Sequence, residues 1–260
     1  MSGRSPLKTK PLRLPGESVD DEIVELRESA LMDHLFAAGC VLLLAFMEWF
    51  GYLMHTGRHP WAFTLLAVVT ISYVAPRIWR LKKRTKELKL GRDGEKIVGE
   101  QLECMREQGA KVFHDVPGDG PAAAFNLDHV VISTHGIYAI ETKTRTKPSA
   151  RARVIVDGDT LTVAGHVPAR NPIEQVTAAA RWLERRLQES TGKRFFVRGV
   201  VVFPGWYVEQ RGPRGDVWVL EPKALPAFID NAPEMIPPSD VTLAADHLSR
   251  YVRSSAEKAA

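Results

Sequence analysis

The chain has 260 residues, 45% of them apolar, and a net charge of only +4. That length admits one or two domains with ordinary cores, and the small net charge excludes a molecule that coats nucleic acid over its whole surface. The two cysteines, Cys40 and Cys104, stand far apart and match no zinc spacing, which argues against a disulfide framework and for a reducing compartment.

Residues 1–33 read as a cytoplasmic N-terminal tail. Its first 15 residues carry no periodic pattern and are expected to be unstructured, whereas the acidic stretch 17–33 places Val19, Ile23, Leu26 and Ala30 at roughly helical spacing. That spacing predicts an interfacial or domain-docking helix.

Residues 34–80 carry two apolar runs. The first, 35–54, is broken only by Glu48 and has the ~20 residues needed to cross a bilayer. The second begins at Trp61 after a polar turn and reaches that length only if Arg77 and Arg80 snorkel to the interface. Trp49, Tyr52, Trp61, Tyr73 and Trp79 lie near the ends, where amphipathic rings favour headgroups. The pattern predicts a two-helix transmembrane hairpin. The alternative is a pair of buried helices in a soluble core, which Glu48 favours because a carboxylate in lipid is costly. A cleaved signal peptide is not expected, since the first run starts late and a second follows at once. Arg4, Lys8, Lys10, Arg13 and Arg27 precede the hairpin, only Arg58 lies in its turn, and residues 77–92 are densely basic. Both termini are therefore expected in the cytoplasm of a multi-pass cell-membrane protein.

Residues 81–92 form a basic juxtamembrane linker. The stretch 79–92 could continue the second helix into the cytoplasm; it suits anionic headgroups, with a phosphate track as the sharper alternative.

Residues 93–260 alternate helices and strands. Asp93 is the expected N-cap of a helix to about Gln108, with Ile97, Val98, Leu102 and Met105 on its apolar side. Strands are expected at 111–116, 153–156, 160–163, 196–203 and 217–220, the fourth a buried central one. Asn171-Pro172 opens a helix to about Ser190, buried through Val176, Ala180, Leu183 and Leu187. Helices are expected at 223–230 and 240–254. Residues 204–207 and 210–215 read as loops, and Trp206 there as a packing cap.

The densest chemistry lies in 128–143, two apolar strands about a tight turn. If Thr134-His135 form a two-residue turn, Ser133 pairs with Gly136 and Asp128 lies opposite Glu141. Glu141 and Lys143 share a side of their strand, so two carboxylates and an ammonium converge. A three-residue loop with Gly136 in a left-handed bulge would instead put Asp128 opposite Thr142. The first register brings together what metal-assisted phosphodiester cleavage requires. His129 faces away and reads as a structural hydrogen-bonder.

This set resembles the NERD (nuclease-related) domain of the PD-(D/E)XK nuclease superfamily. The resemblance rests on GRDGEKIVGEQL (91–102), Leu127-Asp128-His129, Gly136-Ile137, Glu141-Thr142-Lys143 and NPIEQ (171–175), in that order. It implies an α/β, restriction-endonuclease-like mixed sheet flanked by helices, here preceded by the transmembrane hairpin. It also implies a site of Glu95, Asp128, Glu141, Lys143 and Gln175. Asp128, Glu141 and the Thr142 carbonyl would hold Mg²⁺ or Mn²⁺, Glu95 would contribute through water, and Gln175 would hold substrate phosphate or the lysine. The bland alternative for Glu95 is complementing a helix dipole. The expected activity is a membrane-anchored, metal-dependent nuclease acting on DNA, with nucleic acid and the lipid bilayer as partners. The alternatives are an inactive membrane-tethered nucleic-acid or protein-binding module, and a hairpin whose attached domain scaffolds homo-oligomers.

Overall fold

A computed structural model describes residues 12–55, 60–119, 124–213 and 215–258. The chain divides into two units, one of Met1–Glu17 with Gly91–Ala260 and one of Ser18–Leu90.

In the second unit, helix α1 (Glu17–Glu25) runs through a π-helical turn at Leu26–Leu31 into α2 (Met32–Leu53). Helix α3 (Pro60–Glu107) follows, its residues to Leu90 in this unit and those from Gly91 in the first. The acidic stretch expected to form a separate helix is thus the first part of a longer one. Trp49 ties α2 to α3, its indole N–H donating to Thr64 Oγ1 at 2.8 Å and its ring lying edge-on to Trp61. Both helices contain a stretch long and apolar enough to cross a membrane. Phe36, Leu43, Phe46, Leu65, Val69 and Trp79 are exposed, the reverse of a soluble-core helix.

The first unit is built on a five-stranded mixed sheet in the order β1-β2-β3-β6-β8. These are β1 (Lys111–Asp119), β2 (Ala124–Ser133), β3 (Gly136–Thr142), β6 (Val197–Val202) and β8 (Trp218–Leu220). β1, β2 and β3 pair antiparallel, while β6 joins β3 and β8 in parallel. A second sheet, β5-β4-β7, consists of β4 (Arg153–Asp157), β5 (Thr160–Val163) and β7 (Tyr207–Arg211).

Period-2 alternation divides the main sheet between two cores. Tyr138, Ile140, Val200 and Val202 pack on Val98, Leu102 and Met105 of α3. Ile137 and Ala139 pack on α4 (Pro172–Thr191) and α6 (Pro238–Lys258) through Leu183, Leu187, Ala244 and Leu248. Burial on both faces explains why these strands read as continuous apolar runs. A third cluster joins Val154, Val156 and Leu161 to Ile173, Val176 and Val201. A short helix, α5 (Leu225–Asp230), completes the unit.

Besides the fused acidic helix, the described chain departs from the sequence expectation at four places. Asp93 caps nothing: α3 passes through it unbroken. The Lys, Leu, Arg and Glu of 81–90 are strong helix formers, and the two glycines at 91 and 94 cost only about 1 kcal/mol each. Residues 12–15, expected in the unstructured tail, lie on the first unit: Leu12 packs on the core of α4 and α6, and Arg13 pairs with Asp115 at 3.0 Å. β1 runs three residues further than expected, pairing as far as Asp119↔Ala124. Tyr207–Arg211, read as turn and loop, is an edge strand parallel to β4. Residues 1–11 and 120–123, and the turn at 56–59, lie outside the described residues.

Candidate catalytic site

The turn between β2 and β3 fixes the geometry. Ser133 pairs with Gly136, and the ladder runs through Ile132↔Ile137 to His129↔Ile140. One further step sets Asp128 beside Glu141, the first of the two registers allowed by the sequence. Gly136 has φ 145°, a conformation that suits glycine but is not the left-handed bulge of the other register.

At this end the ladder gives way to side chains. The Thr142 N–H donates to Asp128 Oδ2 at 2.6 Å. Lys143 Nζ donates to Glu141 Oε1 at 2.5 Å, with both side chains partly buried. The Lys143 backbone N–H donates to the Val202 carbonyl at 2.8 Å, continuing the parallel pairing with β6 just past the strand end.

Glu95 comes from α3. It sits deep inside a 48-residue helix, so the dipole of a helix start, which fades within a turn, cannot be its role. The preceding residue explains how the helix approaches: a Cβ on Gly94 would lie 1.8 Å from Thr144 Oγ1. Only glycine lets α3 lie this close to the chain leaving β3. Gln175 comes from the first turn of α4, whose Asn171 cap accepts the Ile173 N–H at 3.0 Å. Ile173 and Val176 pack with Val201, the residue paired with Glu141, which brings that turn to the same end of the sheet.

Burial pushes the Asp128 carboxyl well above the usual carboxylate range, and the charges of Glu141 and then Glu95 push it further. The Thr142 N–H and Lys143 ammonium oppose the shift without cancelling it. At the end of β3 and in the first turn of α4, Thr142 Oγ1, Thr144 Oγ1 and Gln175 Oε1 are buried without a hydrogen-bond partner among the described residues. Buried polar atoms are rarely left so. The arrangement is an excess of negative charge and unused oxygen donors at the end of two strands, with a lysine fixed beside it. Among the described residues, no three His, Cys, Asp or Glu side chains form a metal centre by themselves.

Asp128, Glu141, Thr142, Lys143 and Glu95 are thus brought within one electrostatic neighbourhood, and Gln175 approaches from α4. His129 is turned away, fully buried with its Nδ1 2.8 Å from His114 Nδ1. Trp206 is a buried cap whose indole N–H donates to the Arg145 carbonyl at 3.1 Å. Sequence reasoning missed Thr144 and residues 12–16. Gly94 carried a signal for Thr144, since a glycine inside a helix often marks a close approach. The segment 12–16 carried none.

Residues 90–204 match the family profile of the nuclease-related domain. Every site residue named above falls within those bounds, while β8, α5 and α6 lie beyond them. No curated protein matches the chain, and no solved structure does.

Proposed function

We propose that the chain is a membrane-anchored, divalent-metal-dependent nuclease with a PD-(D/E)XK-type site on a restriction-endonuclease-like sheet, hydrolysing DNA phosphodiester bonds. The observation that carries the proposal is the buried Asp128 carboxyl, near enough to Glu141, Glu95 and Lys143 to feel their charges, with Lys143 bonded to Glu141, inside the region matched to the nuclease-related domain.

The residues fit Mg²⁺ or Mn²⁺. Mg²⁺ takes one or two carboxylates and keeps its other positions for water and phosphate, so a sparse donor set suffices. Burial and then the repulsion of Glu141 and Glu95 raise Asp128, and a cation offsets both. Asp128, Glu141 and the Thr142 carbonyl would hold the ion, with Glu95 acting through water. When bound, the ion supplies Lewis acidity and a more acidic water. Lys143, steadied by Glu141, orients the attacking water and stabilises the charge that builds on the phosphate oxygens. Gln175 positions a substrate phosphate through its amide N–H, or the lysine ammonium through its unused Oε1.

The exposed apolar faces of α2 and α3 support a bilayer as the second partner. The distribution of Lys and Arg supports cytoplasmic termini and a cytoplasmic nuclease unit at the cell membrane.

The test uses the full chain in phosphatidylcholine nanodiscs with circular single- and double-stranded DNA, in Mg²⁺, Mn²⁺ or EDTA. Metal-dependent nicking is expected, with Asp128→Ala and Lys143→Ala each reducing it about 10²–10³-fold or more. A folded protein that binds DNA but cuts neither form with either metal makes the chain a tethered binding module instead.

A further inference from the structure

Beyond β3 the chain changes character. Lys143, Arg145, Lys147, Arg151 and Arg153 follow one another with no acidic residue between them. The two ends of this stretch are neutralised: Lys143 by Glu141, and Arg153 by Glu209 at 2.6 Å. The three in the middle are exposed and enter no ion pair among the described residues.

The loop is nonetheless held in place. The Lys143 N–H donates to the Val202 carbonyl, and the Arg145 carbonyl accepts the indole N–H of buried Trp206. Lys147 Nζ stands 5.4 Å from the centre of the Trp206 ring. The Ala152 N–H closes a turn onto the Ser149 carbonyl at 3.1 Å before β4 begins. Three unpaired cations are thus carried on an anchored backbone that leads directly from the candidate lysine. Like charges gathered this way repel one another and gain nothing for the fold, so they suit a partner that brings a row of anions. Tyr207, paired with Arg153 across β7 and β4, is 67% exposed and offers a ring on which a base can stack.

We propose that Arg145, Lys147 and Arg151 form the phosphate-binding surface that delivers a nucleic-acid strand to the carboxylates. The proposal rests on the nuclease reading for the strand's destination, but not for its binding. Loop cations fix the phosphate backbone without reading sequence, so the surface confers affinity and register rather than base preference.

The experiment measures binding of a labelled DNA duplex against salt concentration, for the full chain in neutral phosphatidylcholine nanodiscs. It compares wild type, Asp128→Ala, and the combined Arg145→Gln, Lys147→Gln and Arg151→Gln variant. Each phosphate contact contributes about 0.9 to the slope of log affinity against log salt, so the combined variant should lose about 2.7. Its KM for cleavage should rise while kcat at saturating DNA stays unchanged. Asp128→Ala should keep the wild-type slope. The three single variants, each expected to lose about one third of the effect, serve if the combined one is unfolded. A folded combined variant with wild-type slope and KM overturns the surface while leaving the nuclease standing. So does a loss confined to binding of phosphatidylserine vesicles, which assigns the loop to the membrane. If wild type binds through these residues but never cuts, the surface stands and the nuclease reading falls.

Discussion

Asp115 and Asp128 lie on adjacent strands, in the gap between the pairs His114↔His129 and Val116↔Leu127, and their surroundings differ in kind. Asp115 is 2% exposed and adopts a left-handed backbone at φ 47°. Its carboxylate accepts from Arg13 at 3.0 Å and from Asn126 Nδ2 at 2.7 Å. Asp128 accepts one backbone N–H and faces two further carboxylates. The first aspartate is neutralised as a structural element. The second is left with charge in excess, a condition the fold tolerates at a binding site and corrects elsewhere.

The contrast is broken most severely by removing Arg13. Arg13→Ala would remove a guanidinium from the buried Asp115 carboxylate, and a loss of about 2–4 kcal/mol is expected in chemical denaturation. A loss below about 0.5 kcal/mol, the range of an ordinary surface site, would mean that residues 12–16 do not belong to the folded unit.

Asp128→Asn should act in the opposite direction. A carboxyl whose folded pKa is raised contributes stability below its unfolded pKa, and that contribution is lost as pH rises through the folded value. Wherever the carboxyl is ionised, its charge therefore works against the fold. Replacing it by an amide, which still accepts the Thr142 N–H, should stabilise the protein by about 0.5–2 kcal/mol, the range of ordinary stabilising substitutions, while abolishing cleavage. Equal destabilisation by Asp128→Asn and Asp115→Asn would erase the distinction between the two sites.

The smallest effect concerns His114, which borders both aspartates' strands. Burial holds its imidazole below the usual histidine range, against the pull of Glu103, with Arg106 adding to the lowering. Above the ordinary histidine pKa both folded and unfolded forms are neutral. As pH falls through it, the unfolded chain takes up a proton that the folded one resists, so stability declines. The contribution should reach at most about 0.8 kcal/mol by pH 6. Urea denaturation at pH 7.5 and pH 6 would measure it, and His114→Gln should remove that part of the pH dependence.

How much of this was legible in the sequence depends on what signalled each part. The β2–β3 turn left two registers open, and the one that aligns Asp128 with Glu141 is the one observed. The helix from Pro172 was legible because its signal was local, an Asn-Pro cap and a 3.6-residue apolar stripe. β7 was not, because Tyr207–Arg211 is polar and becomes a strand only by pairing with β4. The break expected at Asp93 failed because helix propensity accumulates over many residues, and one capping residue does not outweigh it.

The sequence by itself determined the alternating strands, the apolar runs of α2 and α3, and the presence of Asp128 and Glu141 on neighbouring strands with Lys143 just beyond the second, since each follows from the period and order of side chains along the chain. Only the tertiary structure decided which carboxylates face one another. It also decided that Thr144 would press against Gly94, that Arg13 would pair with Asp115, and that Arg145, Lys147 and Arg151 would enter no ion pair among the described residues. Charge compensation depends on distance through space, and residues a hundred positions apart carry no trace of it in their order.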